Sequence, residues 1–114
     1  MFCNSGISSI NLPKELEKIG EWAFRECNNL KQISLPENIE EIPSGCFYKS
    51  GLEEIVVPRK VKKIGGYYFF GGAFQGCENL QNIIFDQGSE LTEIGDRAFL
   101  ECRNLRSICL PYKL

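Results

Sequence analysis

Apolar residues recur along this chain in one short phrase. Leu30-Lys-Gln-Ile33-Ser-Leu35-Pro36 returns as Leu52-Glu-Glu-Ile55-Val-Val57-Pro58, as Leu80-Gln-Asn-Ile83-Ile-Phe85 and as Leu105-Arg-Ser-Ile108-Cys-Leu110-Pro111. A fainter copy, Ile7-Ser-Ser-Ile10-Asn-Leu12-Pro13, opens the chain. Within each copy the last two apolar positions alternate with outward ones, the period of a half-buried strand. The proline that usually follows has no amide hydrogen, so it ends ladder pairing and starts a turn. A fixed period of twenty-odd residues predicts a solenoid.

A second phrase follows each strand. Ile19-Gly20-Glu-Trp-Ala23-Phe24-Arg-Glu-Cys27-Asn-Asn-Leu30 recurs as Ile94-Gly95-Asp-Arg-Ala98-Phe99-Leu-Glu-Cys102-Arg-Asn-Leu105. Between them, Ile42-Pro43-Ser-Gly-Cys46-Phe47-Tyr-Lys-Ser50-Gly51-Leu52 is one residue shorter, and Gly51 is expected to take a positive φ in a tighter turn. No single unit can bury Leu30, Ile33, Leu35, Ile39, Ile42 and Phe47 alone. Stacked neighbours can, because each apolar residue then lies on its copy one coil away. The strand phrases are expected to form one parallel sheet. The Ala-Phe-x-x-Cys stretches should form short turns or helical pieces on the other side, with phenylalanine as a stacked spine.

The combination of a Leu-x-x-Ile-x-Leu-Pro strand, an Ile-Gly turn, an Ala-Phe pair and a cysteine three residues on resembles the BspA-like (Treponema pallidum type) leucine-rich repeats. It extends from Phe2 to Pro111. Proline after the strand separates it from the ribonuclease-inhibitor type, where Asn or Cys stands nearby. The expected fold is therefore an α/β solenoid, a right-handed leucine-rich repeat coil. It would carry a parallel β-sheet on the concave face and short helical turns or small strands on the other side. One domain, 1–114, would hold about four full repeats and a partial N-terminal one. The resemblance implies a surface-exposed or secreted protein that binds a protein ligand, such as a host surface or matrix protein, or acts in adhesion. The repeat carries no catalytic residue to transfer. The alternative is a structural, spacer or recognition segment of a larger protein.

Composition narrows the chemistry. The net charge of −2 gives no reason to expect nucleic acid or an anionic membrane as partner. No apolar run approaches the roughly 20 residues needed to span a bilayer, and the first residues lack the pattern of a signal peptide. Histidine, the commonest general base and metal ligand, is absent. No cofactor or metal is expected, and Glu53 and Glu54 read as solvated charges with no base beside them. Cys3, Cys27, Cys46, Cys77, Cys102 and Cys109 include no Cys-x-x-Cys pair. Cys27, Cys77 and Cys102 follow the repeat phenylalanines and read as small buried apolar side chains. Cys77 and Cys102 occupy equivalent places in adjacent coils, where a disulfide is sterically conceivable, but thiols are expected.

Function is expected where side chains point out of the sheet. One column across the coils is Ser9, Gln32, Glu54, Asn82 and Ser107; the next is Asn11, Ser34, Val56, Ile84 and Cys109. Val56, Ile84 and Cys109 would make a small apolar patch of the kind that marks a partner site, or would merely reflect β-branched preference for strands. The largest irregularity is Ile64-Gly-Gly-Tyr67-Tyr68-Phe69-Phe70-Gly71-Gly72-Ala73-Phe74. Phe69 keeps the spacing from Ile64 and Phe74 the spacing to Cys77; Phe74 matches more positions and is taken as the spine residue. Tyr67, Tyr68, Phe69 and Phe70 then form a glycine-bracketed loop, either a binding loop of aromatic anchors or a local filling of the core. Asp86-Gln-Gly-Ser-Glu90 reads as a polar surface turn. Neither end looks capped, so weak end-to-end association is expected, and the chain reads as a fragment of a longer array or an unusually short member.

Overall fold

A computed structural model describes residues 6–66, 71–108 and 110. The strand phrases become β1 (Ser9–Asn11), β2 (Gln32–Ser34), β4 (Glu54–Val57), β6 (Asn82–Phe85) and β8 (Ser107–Ile108). Between them, three of the four Ile-Gly or Ile-Pro turns are entered by a two-residue strand: β3 (Glu41–Ile42), β5 (Lys63–Ile64) and β7 (Glu93–Ile94); the turn at Ile19-Gly20 is not. All pairings are parallel, and equivalent repeat positions face one another: Ile10 with Ile33, Ile55 with Ile83, Ile83 with Ile108, and Ile42 with Ile64 and Ile64 with Ile94. Between these two sets of strands lies one core. Ile39, Ile42, Phe47, Leu52, Val61, Ile64, Phe74, Leu80 and Leu91 are fully buried in it.

The long-strand side is not one continuous ladder. It divides into β1–β2 and β4–β6–β8. The gap falls where the unit is one residue short. There the Glu53 amide donates to the Lys31 carbonyl at 3.0 Å and the Gly51 amide to the Cys27 carbonyl at 3.0 Å. Gly51 does not have the positive φ expected of it. Its role is close approach, because a Cβ there would collide with the Asn28 carbonyl oxygen.

Phenylalanine forms the expected spine. Phe24, Phe47, Phe74 and Phe99 stack with centroid separations of 5.5, 5.4 and 5.5 Å and interplanar angles of 8°, 10° and 4°. Phe74 rather than Phe69 is therefore the third member.

No helix occurs among the described residues, and the Ala-Phe stretches are successions of turns. The reason lies in where the amides point. Those of Trp22, Phe24 and Glu26 donate to Ser44, Cys46 and Tyr48 of the next coil (3.3, 2.8 and 2.7 Å). Those of Ala23, Arg25 and Cys27 donate three residues back within their own coil (3.3, 3.2 and 3.3 Å). A helix would need every one of these amides to stay inside its own segment. The alternation requires left-handed backbone two residues before and two after the phenylalanine: Trp22 and Glu26, Gly45 and Lys49, Gly76, then Arg97 and Glu101. For a residue with a Cβ this costs about 1–2 kcal/mol. Each inter-coil bond returns a net contribution of about 0.5–1.5 kcal/mol.

Candidate functional site

The outward side chains of the long strands stand where the repeat register places them. Glu54 faces Asn82 and Val56 faces Ile84 across β4 and β6. Ser9 faces Gln32 and Asn11 faces Ser34 across β1 and β2. Gln32, Glu54 and Asn82 are exposed. Val56 and Ile84 are 42% and 44% exposed, large for apolar side chains on a strand, and they face one another in register. The structure thus brings five of the expected residues onto one face. The remaining ones, Tyr67, Tyr68, Phe69, Phe70 and Cys109, lie outside the described residues, so neither alternative for the aromatic loop is tested.

Charge on this face is sparse. Lys31 and Glu53, just before β2 and β4, form an ion pair at 3.6 Å. Glu53 is therefore not simply a solvated charge. Glu54 has no ion-pair partner among the described residues. Shallow grooves open elsewhere, one lined by Glu17, Lys18, Ile19, Asn38, Glu40 and Glu41, another by Glu37, Arg59, Lys60, Asp86 and Gln87. No cluster of metal-binding side chains occurs among the described residues, and no helix there is long and apolar enough to cross a membrane.

The cysteines belong to the core, with one correction. Cys46, Cys77 and Cys102 are free thiols. Cys77 donates to the Phe47 carbonyl at 3.0 Å and Cys102 to the Phe74 carbonyl at 3.1 Å, so each thiol stitches its coil to the one before. Burial raises all three pKa values, Cys77 to about 11 and Cys102 to about 12, which keeps the thiols protonated and unreactive near neutral pH. Cys27, by contrast, is disulfide-bonded, and none of the other described cysteines is its partner. It is buried as expected, but as half of a crosslink rather than as a plain apolar side chain.

On the turn side stands a cluster the outward columns did not single out. Trp22 and Tyr48 meet edge to face at 5.5 Å, Arg25 lies 5.6 Å over the Trp22 ring, and Lys49 lies 5.4 Å over Tyr48. Gly45 makes it fit, since a Cβ there would strike the indole. The available signal was the pairing of the largest and smallest side chains at one repeat position.

Residues 70–114 match the family model described as the BspA type leucine rich repeat region. The T. pallidum leucine-rich repeat protein superposes with a TM-score of 0.77 at 32% identity, covering 91% of this chain and 46% of that one. A leucine-rich repeat protein from Eubacterium ventriosum gives 0.66 at 23% identity, covering 91% and 33%, and shares the fold. This chain therefore spans about half the length of the first and a third of the second. No curated protein matches it. With the Leu-x-x-Ile-x-Leu strand, the phenylalanine spine and the Ile-Gly turn all in place, the repeats of this chain are leucine-rich repeats of the BspA type.

Proposed function

We propose that this chain is a non-enzymatic protein-binding module of a surface or secreted protein, which engages its ligand through the outward face of the long strands. The observation that carries the reading is the exposed, in-register pair Val56 and Ile84 beside the polar column Gln32, Glu54 and Asn82. The core gains nothing from two half-exposed aliphatic side chains there, while a partner that covers them removes apolar area from water. Repeat solenoids commonly present such aligned side chains to a ligand. Adhesion to a host surface or matrix protein is the setting this reading favours, with weak end-to-end self-association through the edge strands β7 and β8 as a secondary contact.

The test is binding of purified matrix proteins to the immobilised chain and to a Val56→Ser/Ile84→Ser double variant. Binding weakened at least tenfold with an unchanged melting temperature is the expected result. Binding that survives the double substitution overturns the assignment of the face, and absence of binding by the unsubstituted chain makes a spacer role the better reading.

A further inference from the structure

The face proposed above has an internal order that specifies its partner more closely. Along β4 the outward side chains are Glu54 and then Val56; along β6 they are Asn82 and then Ile84. These four residues make two parallel rows, one polar and one apolar. The strands lie about 4.8 Å apart, and the rows are separated by two residues of strand, about 6.6 Å. By repeat position Gln32 extends the polar row. Of the outward strand residues Ser9, Asn11, Gln32, Ser34, Glu54, Val56, Asn82 and Ile84, only Glu54 is charged. Of the two cations that directly precede long strands, Lys31 is engaged by Glu53 and Arg106 stands before β8, two strands from Glu54.

Resting on the reading that this face binds a protein, we infer that its partner is an extended segment carrying a basic side chain and a large apolar side chain two residues apart. Glu54 supplies the countercharge, and the side-chain oxygens of Gln32 and Asn82 on either side supply further acceptors for a guanidinium or ammonium group. Val56 and Ile84 together receive the apolar side chain. An extended segment fits because its own side chains at i and i+2 repeat at the spacing of the two rows, about 6.6 Å, and fall on one side of its backbone. A basic and an apolar residue adjacent in sequence would point to opposite sides and cannot reach both rows.

The experiment uses three synthetic ten-residue peptides with the whole chain: one with Lys and Leu two residues apart, one with Glu in place of Lys, and one with Lys and Leu adjacent. The first should bind, and the other two should bind at least tenfold more weakly. Glu54→Lys should invert the preference between the first two peptides while leaving the melting temperature unchanged, since Glu54 is exposed. Failure of the first peptide to bind at millimolar concentration, equal binding of the Lys and Glu peptides, or a Glu54→Lys variant that keeps the original preference would each overturn the inference. The Val56→Ser/Ile84→Ser variant separates the two levels. If it abolishes binding of a matrix protein while Glu54→Lys has no effect, the face stands and its basic partner falls. If it leaves that binding intact, the face itself falls.

Discussion

The two outward sides of the coil are built from equivalent strands yet carry opposite chemistry. Beside the short strands, charge alternates from coil to coil. One segment carries Glu37, Glu40 and Glu41, the next Arg59, Lys60, Lys62 and Lys63, and the next Asp86, Glu90 and Glu93. Neighbours pair: Lys62 with Glu40 at 3.7 Å, Lys63 with Glu93 at 3.7 Å, Arg59 with Glu90 at 3.5 Å, and Lys60 donates to the Asn38 side-chain oxygen at 3.0 Å. Beside the long strands, the equivalent outward positions are amides, hydroxyls, one carboxylate and two aliphatic side chains. The first side uses its exposed residues to hold coil to coil. The second, apart from the Lys31–Glu53 pair at its margin, leaves its outward strand residues without ion pairs among the described residues, which is why it, and not the charged side, reads as the surface that faces a ligand.

Perturbations of the two sides should differ in kind. The largest effect lies beneath both: Phe47→Ala or Phe74→Ala removes a ring stacked on two neighbours and should cost about 3–5 kcal/mol, measured by urea unfolding. Loss on that scale would collapse any difference between the sides. Next comes the turn ladder. Gly76→Ala places a Cβ 2.8 Å from the Lys49 side chain at a φ of 75° and should cost about 1–2 kcal/mol, with no effect on peptide binding. Smaller again is Lys63→Glu, which sets like charges between Glu41 and Glu93. A loss of about 1 kcal/mol that shrinks in high salt is expected, because these pairs are half exposed. Val56→Ser should change stability by less than about 0.5 kcal/mol, independently of salt. Equal salt sensitivity of the last two variants would erase the contrast. The smallest effect at neutral pH concerns the thiols between the sides. Cys77 has its pKa raised from 9.0 to about 11, so between those values the native state keeps a proton that the unfolded chain has lost. Its contribution to stability is complete below pH 9 and declines as pH rises toward 11. A Cys77→Ala variant should lack that part of the alkaline slope in urea titrations.

Much of this was legible from the order of residues. The alternation in Leu30-x-x-Ile33-x-Leu35 located the strands, and identical spacing fixed which residues face each other, because parallel stacking maps like onto like. Phe74 could be chosen over Phe69 for the same reason. The turn side was less legible. Trp22, Glu26, Lys49, Arg97 and Glu101 are not residue types that seek left-handed backbone, and they adopt it because the neighbouring coil offers carbonyls at every second amide. That instruction resides in the neighbour, not in the segment. The disulfide at Cys27 was hidden because its position is also a sound place for a buried thiol, as Cys77 and Cys102 demonstrate. Glu90 read only as part of a turn; its ion pair with Arg59 required knowing that a loop two residues longer still returns to the preceding coil.

The alternating charges also bear on a problem of order that the core cannot resolve. Leucine, isoleucine and phenylalanine recur identically, so a coil docked one place out of sequence would bury nearly the same apolar surface as the native one. The charged segments do not tolerate that error. Skipping the basic coil sets the acidic run 37–41 against the acidic run 86–93, which repel where the native neighbours attract. The exposed ion pairs are individually weak, but as a set they favour the basic coil between the two acidic ones, and so help fix the order in which otherwise interchangeable coils assemble.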